Sequence, residues 1–373
     1  MGAERIVRRL MSTADIEIDG SRPSDIRVHN PGMYERVLRG GSLGFGESYM
    51  DGEWDSDDLE TTIVKILQSG GERRIARQPL LAVRLAAFYL SQVIPNRGVG
   101  RRAWEVGKHH YDIGNELYAR MLDSRMIYSC GYWRTASNLD QAQEAKLDLI
   151  CRKLGLAPGM RVLDIGCGWG GFLKYAAEHY GIKGVGVTVS EQQANFARES
   201  VRDLPIDIHL RDYREIEGTF DRVLSIGMFE HVGYKNYPAY MRVVNERLVH
   251  GGLHLVHTIG NNAPIRSRDR WIARYIFPNS KLPALCQIDP AAREHFVLED
   301  MHNFGPDYTK TLRAWHENFT AAWPELAERY DERFRRMWVF FLLSSAASFR
   351  ARNTQLWQLV YSRGNEQTYH SVR

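Results

Sequence analysis

The chain has 373 residues, 44% of them apolar and 25% charged, with a formal net charge of +4. That length suits one large domain plus a smaller one, and the composition excludes wholesale disorder. So small a net charge also excludes a nucleic-acid-type polycation, which leaves local clustering of charge as the informative quantity.

Met1 to Met11 carries Arg5, Arg8 and Arg9 with no apolar stretch behind them, so no secretory signal is expected. The first 95 or so residues read as a small, mainly helical domain. Within it, Gly40 to Trp54 is rich in glycine and aromatic residues and reads as a compact loop, followed by a short helix at Thr61 to Gln68. Glu72 to Ile94 is apolar with arginines at Arg73, Arg74, Arg77 and Arg84, and its most apolar part, Leu80 to Ile94, is short for a membrane span and contains Arg84. Residues 96–110 have linker composition, and between Arg73 and Lys108 stand eight Lys/Arg against one acid, Glu105. A basic amphipathic stretch of this kind suits the surface of an anionic bilayer; the alternative is a solvated helix face packed on the main domain.

Residues 111–373 read as a second, larger domain. A helix is expected over Gln141 to Leu154. Strands follow at Arg161 to Ile165, Val185 to Val189, Ile206 to Leu210, Asp221 to Ile226 and Gly252 to Thr258, with helices to about Tyr180 and from Tyr237 to Leu248. Strands alternating with helices indicate an α/β fold, a parallel sheet with helices on both faces. Regularity breaks at about 261–290, where four prolines mark an insertion. His295 to Asp300 resumes as a strand, helices are expected at Tyr308 to Ala322 and Asp331 to Arg352, and Gln355 to Tyr361 closes as a last strand. The four cysteines, Cys130, Cys151, Cys167 and Cys286, include no CxxC pair, and free thiols in a reducing cytoplasm are the natural reading.

The strongest local signal is the strand–glycine loop–helix run from Val162 to Gly171, containing Asp164, Gly166, Cys167, Gly168, Trp169 and Gly170. Glycines permit a tight turn and close ligand approach, and the first helical turn offers free N–H groups. An acid two residues before the first glycine suits S-adenosylmethionine, which carries an ammonium group and no pyrophosphate. After the second strand, Thr188 and Gln193 offer polar contacts, with Glu191 a further candidate, and Asp212 and Tyr213 follow the third strand where an adenine would lie. A dinucleotide site fits less well, because the third glycine pattern and the acid closing strand two are both absent.

The ordered runs GSLGFGESYMDGEWD, HYDIGNELYARML, YSCGYW, VLDIGCGWGG, SIGMFEHVG, LHLVHTIG, YIFPN, LEDMHNFGPDY and FRARNTQLWQLVYSRG carry a wider signal. With them the chain resembles the cyclopropane-fatty-acyl-phospholipid synthases along essentially its whole length. The resemblance implies a doubly wound, Rossmann-like class I methyltransferase sheet, usually closed by an antiparallel strand. It also implies a smaller N-terminal lipid-binding domain, often a homodimer, and a cytoplasmic enzyme peripherally associated with the inner membrane surface. The implied substrate is an unsaturated phospholipid of the bilayer, with no nucleic-acid partner. The implied S-adenosylmethionine shell is Tyr128, Ser129, the loop Asp164 to Gly170, Thr188 to Gln193, Asp212 and Tyr213. A bicarbonate ion is implied at Cys130, Glu230, His257, Ile259 (through its backbone) and Tyr308. Some relatives carry a cysteine in the late helix where this chain has Ser345, so the implied activity, if this chain has it, needs no thiol there.

Cyclopropanation demands a dry pocket, stabilisation of positive charge on the acyl chain, and a base beside the new methyl group. Aromatic faces meet the second demand, with Trp169, Phe229, Tyr234, Trp271, Phe304 and Tyr308 as candidates. Bicarbonate meets the third, with Tyr308 and His257 as donors to it, aided by backbone N–H groups near Cys130 and Ile259. Glu230 is expected to orient His257 or to accept the bicarbonate hydroxyl proton. Asn261 to Pro290, the N-terminal domain and the late aromatic run Met337 to Phe341 are candidate walls for the acyl chain. Competing readings are a methyltransferase that leaves a methyl branch, and a non-catalytic lipid-binding protein.

Overall fold

A computed structural model describes residues 2–70, 114–264, 269–278, 280–364 and 368–373. The basic stretch Arg73 to Lys108, the helical pattern Glu72 to Ile94 and the linker 96–110 lie outside the described residues. In chain order the elements begin with α1 (Ala3–Thr13), β1 (Arg27–Val28), α2 (Gly32–Gly40), α3 (Ser42–Met50), β2 (Trp54–Asp55) and α4 (Leu59–Gln68). There follow α5 (Asn115–Met121), α6 (Leu139–Lys153), β3 (Arg161–Ile165), α7 (Gly171–Tyr180), β4 (Lys183–Thr188), α8 (Glu191–Ser200) and β5 (Ile206–Leu210). Next come β6 (Phe220–Ile226), α9 (Phe229–Val232), α10 (Tyr237–Arg247), β7 (Leu248–Asn261), α11 (Arg270–Tyr275) and α12 (Leu285–Ala292). The last are β8 (Val297–Asn303), α13 (Gly305–Leu326), α14 (Glu332–Arg350) and β9 (Thr354–Ser362).

The chain divides into two compact units. One comprises Met1–Leu117, Ser267–Asn279 and Trp315–Asn353. Its core is aromatic: Trp54, Trp271, Trp315, Trp338 and Phe319 are all essentially inaccessible. Phe45 stacks on Trp54 at 4.3 Å, and Phe340 meets Trp271 edge-on at 4.7 Å. The buried indole N–H of Trp54 is satisfied by the Ser48 hydroxyl at 3.0 Å, as a buried donor requires. Gly40 to Trp54 is not the loop expected from composition, because α3 runs through its middle. The glycines that argue against a helix are there for packing: a Cβ on Gly44 would collide with the Arg36 carbonyl, and one on Gly46 with the Trp271 ring. The run Met337 to Phe341 is buried in this core.

The other unit comprises Tyr118–Arg266, Ser280–Ala314 and Thr354–Arg373. It holds a seven-stranded sheet of order β5-β4-β3-β6-β7-β9-β8. The first five strands are parallel, and β9 runs antiparallel to both β7 and β8. Side chains alternate between two cores, as the strand period of two demands. Val162, Leu224, Leu255 and Val360 face Leu147 and Ile150 of α6 and Phe172 and Leu173 of α7. Leu163, Val223, Val256 and Leu359 face Tyr237, Tyr240 and Val244 of α10 and Ile288 of α12. Such a sheet, apolar on both faces, is a doubly wound α/β fold. The chain leaves β3 toward β4 and β5 on one side and returns to β6 on the other, so a crevice opens at the carboxyl ends of β3 and β6.

β7 continues to Asn261, three residues past its expected end. Its register with β9 is unbroken from Leu253↔Ser362 to Asn261↔Thr354, and Gly260 lies under the Trp357 ring, where a Cβ would collide. The insertion after it carries two short helices, α11 and α12. Asp269 caps the first by accepting from the N–H groups of Trp271 and Ile272, each at 2.9 Å.

Candidate active site

β3 ends in the loop Gly166-Cys167-Gly168-Trp169-Gly170, which leads into α7. Gly166, Gly168 and Gly170 take φ values of 86°, 55° and 83°, a region that favours glycine. At Gly166 a Cβ would also lie 2.7 Å from that of Met228. The loop therefore offers bare backbone at the crevice, ending on the N-terminus of α7. Cys167 is buried, and burial raises its thiol pKa, so it is an uncharged packing group.

Strand alternation sends Asp164 to the same face as Val162, beneath α6. Burial raises its carboxyl to about 7, with the positive charge of Lys146 pulling in the opposite direction. Its Oδ1 has no hydrogen-bond partner among the described residues. A buried carboxylate with an unused oxygen beside a glycine cradle fits the ammonium end of S-adenosylmethionine.

Tyr128, Ser129 and Cys130 lie on a segment clamped from two sides. From α6, Gln143 donates to the Ser129 carbonyl at 2.7 Å and Lys146 to the Ser129 hydroxyl at 3.0 Å, while the Ala142 carbonyl accepts from Tyr132 N–H at 2.8 Å. From α13, Thr311 accepts from Gly131 N–H and from the Trp133 indole, and Asp307 accepts from Trp133 N–H. The Tyr128 ring meets Tyr118 at 5.1 Å, and Tyr118 meets Trp169 of the glycine loop at 5.1 Å. At the ends of β4 and β5, the Thr188 hydroxyl donates to Gln193 Oε1 at 3.0 Å. Arg214 donates to Asp212 at 2.7 and 2.8 Å and holds its carboxyl below the ordinary value. Tyr213 is half-buried against Tyr240.

A second cluster forms where β6, β7 and α13 end or begin. Glu230, on α9 just after β6, is buried, and its Oε1 accepts from Ile259 N–H at 2.7 Å. That N–H, expected to face an anion, is thus committed to the carboxylate. Burial raises the Glu230 carboxyl to about 7, and its Oε2 has no partner among the described residues. His257 lies two residues before Ile259 in β7, on the same strand face. Burial, reinforced by the charges of Lys146 and Lys153, drives its pKa well below the ordinary value, so the imidazole is neutral. Gln358, opposite it in β9, donates to Nδ1 at 3.3 Å, which leaves the proton on Nε2. That Nε2 is buried and unpaired among the described residues.

Tyr308 on α13 is buried; desolvation, with further contributions from Cys130 and Glu230, raises its pKa well above the ordinary value, so its hydroxyl keeps its proton. Burial likewise raises the Cys130 thiol, which lies 3.8 Å from the Thr311 hydroxyl. Two protonated donors, Tyr308 and His257 Nε2, and one carboxylate titrating near neutrality make a set that fits a small oxyanion with a hydroxyl of its own, as bicarbonate has.

The aromatic candidates separate by location. Phe304 meets His257 edge-on at 5.8 Å, and Tyr308 and Trp169 stand in the two clusters already described. Phe229 is a core residue, stacked on Tyr237 at 4.4 Å. Trp271 belongs to the aromatic core of the first unit, where its indole donates to Met50 sulfur. Tyr234 is 45% exposed and already carries a cation, the Lys281 ammonium, at 4.7 Å from its ring centre.

Lys146, Gln143, Thr311 and Gln358 escaped sequence reasoning. The first had a readable signal. Lys146 and Lys153 stand seven residues apart on the stripe that also holds Ala142, Leu147, Ile150 and Leu154, so both lysines fall on the apolar face of α6. Among the described residues no cluster of metal-ligating side chains occurs, and no helix is long and apolar enough to cross a membrane.

The chain matches the mycolic acid cyclopropane synthetase family model over residues 100–359. It is 52% identical over 362 residues to the cyclopropane-fatty-acyl-phospholipid synthase of Escherichia coli (strain K12), covering 97% of this chain and 94% of that one. It is 32% identical over 388 residues to the tuberculostearic acid methyltransferase UfaA1 of Mycobacterium tuberculosis, covering 95% and 90%. Among solved structures, the mycolic acid cyclopropane synthase CmaA1 complexed with SAH and CTAB superposes with a TM-score of 0.65 at 30% identity, covering 69% of this chain and 98% of that one.

Proposed function

The chain belongs to the mycolic acid cyclopropane synthetase family and is an S-adenosylmethionine-dependent methyltransferase; on that premise we propose that it closes a cyclopropane ring on the cis double bond of unsaturated phospholipid acyl chains. We propose further that bicarbonate assists at Glu230, His257, Tyr308, Cys130 and Ile259, and that the enzyme works as a homodimer at the inner membrane surface. When bound, S-adenosylmethionine supplies a sulfonium-activated methyl carbon, and bicarbonate supplies a proton acceptor.

The chain's own groups divide the remaining work. Asp164, with its unused oxygen, holds the cofactor ammonium against the glycine loop. Thr188, Gln193, Asp212 and Tyr213 line the nucleoside end. Tyr308 and neutral His257 donate to the oxyanion, and Glu230 accepts its hydroxyl proton. Ile259 serves by fixing Glu230 Oε1, which leaves Oε2 for that proton. Phe304 and Tyr308 present ring faces to positive charge developing on the acyl chain. Burial keeps the cluster dry, which strengthens each of these interactions.

One observation carries this reading: Glu230 Oε2 and His257 Nε2 are both buried and neither is hydrogen-bonded among the described residues, beside a tyrosine that keeps its proton. The test is turnover on unsaturated phospholipid vesicles with S-adenosylmethionine in buffer stripped of carbon dioxide. The rate should fall and recover when bicarbonate is returned; a rate indifferent to bicarbonate contradicts the assignment.

A further inference from the structure

Lys146 is fully buried on α6, within electrostatic reach of Asp164 in one cluster and of Cys130 and His257 in the other. Loss of hydration lowers the pKa of this lysine to about 8, so the group still carries its proton at neutral pH. Its one hydrogen bond among the described residues is the 3.0 Å donation to the Ser129 hydroxyl. Its charge also acts on Asp164, whose Oδ1 is unused, and on Asp123 and Cys130.

An ammonium group has donors and no acceptor, so the Ser129 oxygen must accept from it. The Ser129 hydroxyl proton is then directed elsewhere, and it has no acceptor among the described residues. Lys146 thus converts an ambivalent hydroxyl into an obligate donor backed by a positive charge. The same ammonium lies within electrostatic reach of an acid with a free oxygen. A donor of this kind and a carboxylate, both within reach of one cationic group, complement a ligand whose carboxylate and ammonium share a carbon atom.

We infer that Lys146 is a positioning residue that makes the site selective for the α-carboxylate of the cofactor's amino-acid end, acting through Ser129. The inference rests on the reading that Ser129 and Asp164 hold S-adenosylmethionine. It differs from a purely structural role, in which Lys146 would only neutralise Asp164 and brace the fold. A structural role affects every ligand of the site alike, whereas the relay affects only ligands that carry the carboxylate.

The experiment is calorimetric binding to the full chain of S-adenosylhomocysteine, its decarboxylated analogue and 5′-methylthioadenosine, which lacks the amino-acid end. Lys146→Met should weaken S-adenosylhomocysteine by about tenfold or more, the scale of a hydrogen bond to a charged group. Binding of the decarboxylated analogue and of methylthioadenosine should change by less than about threefold. Ser129→Ala, which removes a single oxygen, should reproduce the pattern, and if it does not, the relay is overturned even where the lysine variant fails to fold. Equal weakening of all three ligands, or unchanged binding of S-adenosylhomocysteine, overturns the relay. Failure of the unaltered protein to bind S-adenosylhomocysteine at all would instead remove the underlying cofactor assignment.

Discussion

Glu230→Gln keeps the shape of a buried side chain and removes its charge. Glutamine retains an acceptor for Ile259 N–H, now met by Glu230 Oε1 at 2.7 Å. Burial raises the Glu230 carboxyl from 4.5 to about 7, so its ionised form is disfavoured in the folded state by on the order of 3 kcal/mol. A raised carboxyl contributes stability that is complete below pH 4.5 and is lost as pH rises through 7. The difference in stability between variant and parent should therefore grow across that window in the variant's favour and level off above it. The net gain is smaller than the full electrostatic figure, because an amide N–H at the place of Oε2 lacks a partner and costs roughly 1 kcal/mol or more. Turnover should move the opposite way, falling about a hundredfold to ten-thousandfold as expected for loss of a proton-transfer group. The assays are denaturant unfolding at pH 5 and pH 8 beside gas-chromatographic analysis of the acyl chains, with S-adenosylhomocysteine binding as the control for an intact cofactor site. Normal turnover in a folded variant refutes the catalytic role, and a stability difference independent of pH refutes the electrostatic one.

Asp164→Asn should fold normally and weaken S-adenosylhomocysteine by about tenfold or more, since a neutral amide replaces the carboxylate at the unused oxygen; calorimetry checks it. Gly166→Ala should cost at least about 1 kcal/mol of stability and impair cofactor binding, because φ is 86° and the new methyl group would press on Met228; thermal unfolding and calorimetry read both effects. His254 is fully buried, bonds through Nδ1 to the Val223 carbonyl, and has its pKa lowered by burial to about 4. A lowered histidine contributes stability that is complete above pH 6.5 and is lost as pH falls through 4. His254→Gln should accordingly lose less stability than the parent on acidification across that range, by up to about 3 kcal/mol; parallel unfolding curves for the two proteins would contradict this. Ser345→Cys should leave turnover unchanged.

What could be read from the sequence follows from how local each determinant is. The glycine loop was legible because its backbone conformation is written in residues that few others replace. The sheet was legible because strands buried on both faces are short continuous apolar runs. The proposed reaction cluster was not legible from spacing: Cys130, Glu230, His257 and Tyr308 stand on four separate segments, and in the sequence only the family resemblance gathers them. α3 was hidden by glycines whose role is close packing against Arg36 and Trp271. The end of β7 was hidden by Gly260, which reads as a breaker but makes room for Trp357. Lys146 was hidden by charge, since a helical lysine ordinarily reads as solvated; its position on the apolar stripe of α6 was the overlooked clue.

The most direct test of ring closure uses S-adenosylmethionine carrying a fully deuterated methyl group, unsaturated phospholipid vesicles and mass spectrometry of the acyl chains. Closure of a cyclopropane requires loss of one hydron from the transferred methyl, so the product should retain two of the three deuterons and lack the double bond. An acyl chain retaining all three, as a methyl-branched product would, contradicts the account, as does a chain that acquires no label.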